Sequence, residues 1–517
     1  VPAPRTWWRT LVLNGQCMGA YCDVEQPDAD FLAAQGLDET ANLYKCEDRL
    51  VTLPDSLAYV TNYQKETNEG SGYDDLIAFI ETLNETPDGD FYETFIDILD
   101  IDEYIDYYAL LMLINDGDAI FKNFLLYHDL EADWWMVIPW DKDLTWGVRW
   151  PFLEGLYWTS SLLQGASAGG NILTWRLLNQ PVLRNLYLSR LYESISERFP
   201  RDDLSARIDA AHELTRGSGE VDFRKWYWED NTRLRQGAEE LREFAEGRYA
   251  YIFTQLDGLF TPQELYINEF MAGNSRTITD EYGEYEDWIE IYNPGPAAVA
   301  MGDYFLTDNL NEPVRWAFPD TLLPAGAHLL VWADEDGWQG PLHANFKLSR
   351  NGELIALHKK EPGAGSPVGP EDIDPVDLVY FGPQVDDIAR ARFEDGNLRW
   401  AFADSASPGA SNPPGQGIDD PHLPPADLTS LRLHVWPNPS AGAVHFDLPC
   451  AAGGAIEIFD VSGRLCRRLS APSPGPAGQS RWVWNGDAFG GRPASPGAYW
   501  ARYQATGREA GRATRVI

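Results

Sequence analysis

From residue 74 to 113, Leu, Ile, Phe and Tyr recur at the spacing of helices that bury one face, in two or three segments. The pattern then changes. Phe124-Leu125-Leu126-Tyr127-His128 and Trp134-Trp135-Met136-Val137-Ile138 are short apolar and aromatic runs around a polar turn at Glu131-Ala132-Asp133, which predicts a β-hairpin. Helical spacing returns over 171–260, through Leu183, Leu186, Tyr187 and Leu191 and later Leu241, Phe244, Tyr249, Ile252 and Leu256. Nearer the start, Leu11-Val12-Leu13-Asn14-Gly15 and the run from Gly19 to Glu25 signal another hairpin. Asp28 to Ala34 begins like a capped helix. Such apolar stripes are packing surfaces first.

Thr261-Pro262 opens a different rhythm. Trp288-Ile289-Glu290-Ile291-Tyr292 and Leu329-Leu330-Val331-Trp332 alternate with turns at Asn293-Pro294-Gly295 and Pro324-Ala325-Gly326, which predicts an all-β sandwich. Ser407 to Asp427 is rich in Pro, Gly, Ser and Asp and reads as a linker. Strand-like runs at Ala455-Ile456-Glu457-Ile458-Phe459 and Trp482-Val483-Trp484 predict a last, small β module. At 517 residues the chain is too long for one core. It divides into an α+β region at 1–260, a β-sandwich at 261–412, a linker at 413–430 and a small β domain at 431–517.

Composition narrows the setting. Hydrophobic content of 44% and 20 Trp indicate filled domains rather than disorder. The net charge of −40 is uneven: Leu428 to Ile517 holds ten Arg, no Lys and five acids, leaving the rest of the chain near −45. So acidic a body is a poor partner for nucleic acid or anionic membrane. It suits a solvated, secreted or surface protein, and its acidic loops admit weak calcium binding. No apolar run is long enough to span a membrane, and no charged segment with an apolar core opens the chain. Val1-Pro2-Ala3-Pro4 reads as the interior of a longer protein. Five Cys show no metal-binding spacing. Cys17 with Cys22, or Cys450 with Cys466, would each allow one bridge, and buried thiols fit equally well.

The candidate chemistry brackets the central hairpin. Asn115-Asp116-Gly117-Asp118 and Lys122-Asn123 precede it, and Pro139-Trp140-Asp141-Lys142-Asp143 follows. An Asp-x4-Asn loop, a hairpin and then an Asp is the order of parts in a protein-kinase active site. Phosphoryl transfer to a hydroxyl needs a carboxylate to orient the acceptor, and an amide oxygen with a second carboxylate to hold magnesium. Taken singly the pieces are ordinary, since Asp-x4-Asn usually caps a loop and Asp-x-Asp usually marks a turn or a weak calcium site. Their order around one hairpin carries the reading. Trp134, Trp135, Trp140 and Trp146 read as packing rather than a base-stacking platform.

Residues 9–147 resemble the CotH kinase family of spore-coat and secreted kinases. The resemblance rests on Leu13-Asn14-Gly15, Gly19-x-Tyr21 with Glu25, Asn42-Leu43-Tyr44-Lys45, Asn115-Asp116, Lys122-Asn123 and Ile138-Pro139-Trp140-Asp141-Lys142-Asp143-Leu144. It implies that Asp118, or alternatively Asp116, orients the acceptor hydroxyl. Asn123 and Asp141 would coordinate magnesium bound to ATP, and Asp143 would support the metal or cap the following turn. Lys45 and Glu25 would face the nucleotide. The family carries further strands, one of them basic, before its Leu-Asn-Gly segment, where about ten residues stand here. The fold expected is therefore multidomain, led by an α+β kinase-like domain without those early N-lobe strands, with no glycine-rich phosphate loop before Gly15.

Residues 264–412 are similar to the lamin tail domain, an immunoglobulin-like β-sandwich. The matching pieces are Ile267-Asn268-Glu269, the run from Asp287 to Asn293, Leu323-Pro324-Ala325-Gly326 and Asn345-Phe346-Lys347-Leu348. An adhesive or spacer role is expected of it. Residues 431–517 resemble FlgD-like and type IX secretion sorting domains, on Pro437-Asn438-Pro439-Ser440, the run from Ile458 to Arg464 and Ser495-Pro496-Gly497-Ala498-Tyr499. That implies dealings with a secretion machinery and a place at the bacterial cell surface or beyond. Together the resemblances imply a secreted or surface kinase that transfers the γ-phosphate of ATP to Ser or Thr of an extracytoplasmic protein. Its cofactors would be ATP and Mg2+, with Ca2+ as the other candidate cation. The alternative is a non-catalytic surface protein, binding or adhesive, with a degenerate kinase-like domain.

Overall fold

The computed structural model describes residues 2–116, 121–147, 158–167, 169–225, 232–369, 372–403 and 405–412. Beyond them it describes 434–436, 444–448, 454–460, 465–469, 473–474, 480–485 and 499–505. The chain forms two compact units, Val1–Asp420 and Pro421–Ile517.

The first unit opens with β1 (Thr6–Leu13) and β2 (Gln16–Val24), an antiparallel hairpin. Its turn is Asn14-Gly15, both at positive φ (51° and 77°), the pairing a tight twisted hairpin demands. Next comes α1 (Ala29–Gln35). The Asp28 side chain accepts from the Phe31 N–H at its start, and Gly36 ends it at φ 78°. Both elements agree with the sequence pattern.

β3 (Asn42–Cys46), α2 (Ser56–Asn62) and β4 (Tyr63–Lys65) follow. Three helices come next, α3 (Asp74–Glu85), α4 (Phe91–Ile98) and α5 (Ile101–Ile114), then the central hairpin of β5 (Phe124–Asp129) and β6 (Trp134–Pro139). The strands make one antiparallel sheet in the order β4-β3-β5-β6. Side chains alternate across it. Leu43, Leu125, Tyr127, Met136 and Ile138 cover a small core shared with Phe31 and Leu32 of α1. Tyr44, Phe124, Leu126, Trp135 and Val137 close the large helical core from the other face.

That large core is completed by α6 (Ile172–Asn179), α7 (Pro181–Glu193), α8 (Arg201–Lys225) and α9 (Thr232–Leu259). Helix α5 is its axis, with ten of its residues buried from Ile101 to Ile114. A helix apolar on nearly every side has to lie inside. Each large side chain it buries contributes about 1.5–3 kcal/mol. Its C-terminal end is gripped by Arg248 of α9. That fully buried guanidinium donates to the Met112 carbonyl (2.8 Å from Nε) and to the carbonyls of Trp158 and Ser160 (2.8 and 2.6 Å).

The same unit continues into a β-sandwich. One sheet runs in the order His343–Ala344, His328–Ala333, Asp287–Tyr292, Tyr266–Met271, Ala389–Arg392, Trp400–Ala403. The facing sheet runs Trp316–Ala317, Tyr304–Thr307, Glu353–Lys360, Ile373–Phe381. Ile267, Phe270, Ile289, Leu306, Val331 and Ile355 lie in the core between them. Both predicted turns meet at the buried Asn293. Its amide donates to the carbonyls of Ala297, Leu323 and Pro324, and its backbone carbonyl accepts from Gly326 N–H at 2.9 Å. Arg390 ties the sandwich to the helices through Glu193 and Glu197 (3.3 and 3.2 Å).

In the second unit the described strands form two antiparallel sheets, His434–Trp436, Val444–Leu448, Ser480–Trp484, Ser473–Pro474 and Leu465–Leu469, Gly454–Asp460, Tyr499–Ala505. Ile456 and Ile458, and Trp482 and Trp484, are buried at alternate positions, as their spacing requires. The linker expected at 413–430 lies outside the described residues, as does Cys450. Among the described residues Cys17, Cys22, Cys46 and Cys466 form no disulfide, and no helix is long and apolar enough to cross a membrane.

Candidate active site at the base of the hairpin

Helix α5 delivers the first polar cluster. Its cap, Asn115, adopts the left-handed conformation at φ 53°, which turns the chain out of the helix and lets Asp116 N–H bond back to Leu111 C=O (2.9 Å). The Asn115 side-chain oxygen accepts from Gln164 Nε2 at 3.0 Å, and Trp146 N–H donates to Ile114 C=O at 2.7 Å. Asp116, only 1% exposed, follows directly. Asp118 falls within 117–120, outside the described residues.

The second cluster sits where β5 begins. Asn123 is 3% exposed and again left-handed, at φ 61°. Its N–H donates to Cys46 C=O of β3 at 2.9 Å. Phe124 pairs with Pro139 across the hairpin, so Asn123 and Trp140 flank the same end of the ladder. One residue on, Asp141 is left-handed too, at φ 55°. Asp141 and Asp143 are both exposed.

Lys142 joins these pieces. Its ammonium donates to the backbone carbonyls of Asn123 (3.0 Å) and Trp140 (2.7 Å) and lies 3.3 Å from Asp116 Oδ2. One side chain thus fixes the exit of α5, the start of β5 and the end of β6. A carboxylate as buried as Asp116 needs such a counter-charge, because removing one partner of a buried pair costs about 3–5 kcal/mol. Left-handed backbone costs a non-glycine residue about 1–2 kcal/mol, least for Asn and Asp. Three such residues, Asn115, Asn123 and Asp141, bend the backbone around one hairpin base.

Lys45 and Glu25 are not partners here. Lys45, on β3, lies 3.3 Å from Glu47 Oε1 and 6.0 Å from the ring centre of Trp140. Glu25 instead accepts from Arg5, through Nε at 3.0 Å and through its backbone N–H at 3.0 Å, inside the β1–β2 hairpin. That arginine holds the Glu25 carboxyl below its ordinary range, against the opposing effect of burial.

Sequence reasoning did not single out Lys142, Glu47 or the charge network around His128. The His128 ring stacks on Trp135 at 3.9 Å, with Nδ1 at 2.8 Å from Asp75 and Nε2 at 2.9 Å from Asp133. Burial alone would lower the His128 pKa, and the two carboxylates outweigh it and raise it. Asp75 is pushed up by burial, yet hydrogen bonds from His128, Tyr44 and Asn42 prevail and hold it well below the usual carboxylate range. This network fastens α3 to the outer end of the sheet. The one signal for it was a His inside an apolar strand.

Comparison with known protein families gives two matches. Residues 1–252 match the family described as CotH kinase protein, and residues 260–368 match the Lamin Tail Domain family. The inner spore coat protein H of Bacillus subtilis is 27% identical over 223 residues, 41% of this chain and 60% of that protein. The chain thus spans 60% of that relative's length. Among solved structures, the dimeric latent PorU of Porphyromonas gingivalis aligns over 49% of this chain and 20% of its own, at 15% identity and a TM-score of 0.15. So low a score carries no argument about either fold or function.

Proposed function

We propose that the first 260 residues form a CotH-type kinase domain, which transfers the γ-phosphate of ATP to a hydroxyl of an extracytoplasmic protein. The observation that carries this is the base of the hairpin. Lys142 pins both strand ends to Asp116 while Asn123 and Asp141 bend out of ordinary backbone on either side of it.

The donor set fits magnesium. An amide oxygen and two exposed carboxylates are hard ligands, and an ion that keeps several waters is well served by few protein donors. Asn123, Asp141 and Asp143 would hold Mg2+, whose role would be to neutralise the charge of the triphosphate. Lys45 offers an ammonium beside Trp140 for a phosphate oxygen, with Glu47 limiting its freedom. Asp118 takes the acceptor hydroxyl, a role read from its spacing to Asn123. Asp116 is better suited to holding Lys142 than to meeting substrate, given its burial. The sandwich at 261–412 serves as a spacer, and the module at 431–517 as a sorting domain that places the protein at the cell surface.

A second reading draws on the name of the Bacillus relative, a coat protein. In it the same region is a structural or binding component without turnover. Incubation with labelled ATP, Mg2+ and candidate acceptor proteins separates the two. Transfer that falls at least about a hundredfold in Asp118→Ala and in Asp141→Ala supports the kinase reading. Transfer unchanged in both variants rules the site out, and an absence of any nucleotide-dependent thermal shift in the parent favours the coat role.

A further inference from the structure

A second gathering of oxygen donors lies in the sandwich, in the loops 280–286 and 334–343. Asp280, Asp334 and His343 each place a ligand atom within 4.8 Å of the others, and all three are buried. Beside them Glu284, Glu286 and Asp336 form another such group. Glu281 Oε1 stands 3.3 Å from His343 Nε2. Six acids thus share one corner of the sandwich, where Lys347 reaches Glu286 at 3.7 Å.

A cluster of acids alone means little. Two further details point to a ligand. Asp280 is 7% exposed and its Oδ1 accepts from the N–H groups of Tyr282 and Glu284 (both 2.8 Å), while its Oδ2 is buried with no hydrogen-bond partner among the described residues. Gln339 is 8% exposed. Its Nε2 donates to Glu284 Oε2 at 2.6 Å, which sets the amide in the cluster, and its Oε1 is likewise buried without a partner. Leaving such an acceptor unsatisfied costs about 1–3 kcal/mol, and more for a charged group. Two of them amid six acids faced by one Lys and one His is a deficit that one cation would remove.

The loops are also built to hold their shape. Gly283 takes φ 82°, and Asp280 and Glu284 close the turn through Asp280 N–H to Glu284 C=O at 3.0 Å. Asp334 Oδ1 accepts from Asp336 N–H at 2.9 Å, and His343 Nδ1 donates to Asp334 Oδ2. Donors fixed by backbone bonds and aimed by a neighbouring imidazole are how proteins pre-form a metal site.

We propose that Asp280, Asp334 and the side-chain oxygen of Gln339 bind one divalent cation of the calcium type, with Glu284, Glu286 and Asp336 completing the acidic surround. Hard carboxylate and amide oxygens in flexible number favour Ca2+ over softer metals. His343 is a positioning residue that orients Asp334.

Terbium luminescence on the full chain, after removal of metals by a chelator, tests this locally. Trp338 Nε1 donates to Asp336 Oδ1 at 3.0 Å, so an ion in the cluster sits near an indole that can sensitise its emission. Saturable emission is expected, displaced by Ca2+ and weakened at least tenfold in Asp280→Asn and in Asp334→Asn. Trp338→Phe should dim the emission yet keep the rise in melting temperature that Ca2+ gives the parent. Circular dichroism confirms that each variant is folded, and Gln339→Met supplies a neutral second variant should Asp280→Asn unfold. Emission unchanged in all three donor variants, or abolished by Asp141→Asn, would overturn the proposal. So would stabilisation by Zn2+ alone that disappears in His343→Gln.

Discussion

At the base of the β5–β6 hairpin, a buried carboxylate meets a lysine supplied three residues after the strand ends, and three left-handed residues bend the chain around that pair. In the sandwich loops, six acids converge with His343 and Lys347 nearby, and two buried oxygens have no hydrogen-bond donor among the described residues. Both regions bury carboxylates, Asp116 in one and Asp280 and Asp334 in the other, which is unfavourable unless the charge is answered. The first answers it from within the chain and keeps Asp141 and Asp143 exposed, ready for something that comes and goes. The second buries its donors, as suits an ion that stays. The first arrangement suits the proposed turnover, the second the proposed structural ion.

The sharpest way to break this contrast is to remove the internal cation. Lys142→Met takes the ammonium from beside the buried Asp116 and from two backbone carbonyls, and should lower unfolding stability by about 3–5 kcal/mol in urea titration. Lys347→Met, at a half-exposed ammonium 3.7 Å from Glu286, should change it by less than about 1 kcal/mol. Equal effects would erase the distinction between the regions.

A second test uses pH. Burial pushes Glu269 up to about 7 and Glu290 up to about 8, and their mutual repulsion adds to the Glu290 shift. Both folded values exceed those of an unfolded glutamate, so the native state holds more protons in the interval between. Stability of the first unit should therefore fall as pH rises from about 4.5 to 8, and Glu290→Gln should flatten that slope in thermal melts. His128 acts in the same sense, since its raised pKa stabilises the fold below the unfolded value and loses that contribution as pH rises through the folded one. A melting temperature that climbs over this interval would contradict both assignments.

Much of the fold was legible. The Asn14-Gly15 turn, the Asp28 cap and the alternation of β5 and β6 all follow from local chemistry, and the structure realises each. The change of rhythm at Thr261-Pro262 falls between α9 and the first sandwich strand. What the sequence hid was partnership over distance. Lys142 looked like part of a motif, yet its work is to bond Asp116 and two carbonyls, none of which spacing could connect. Glu25, expected to face the nucleotide, is bonded by Arg5, twenty residues earlier, a pairing that spacing did not reveal. The Asp280–Asp334–His343 group joins loops about fifty residues apart, and the acids in each loop look merely solvated when read alone.

Smaller effects sharpen the picture. Asp141→Gly relieves left-handed backbone at an exposed position and should raise stability by up to about 1 kcal/mol while weakening nucleotide binding, the mark of strain kept for function. Smallest of all, Glu25→Gln should leave the unfolding midpoint within experimental scatter, because its partner Arg5 is a half-exposed surface residue.

The most direct measurement is calorimetric titration of the full chain with Mg·ATP, in the parent, Asn123→Ala and Asp141→Asn. Saturable binding in the parent, weakened at least tenfold in each variant and dependent on Mg2+, is the predicted result. Equal affinity in all three proteins, or no heat of binding in the parent, would contradict the site.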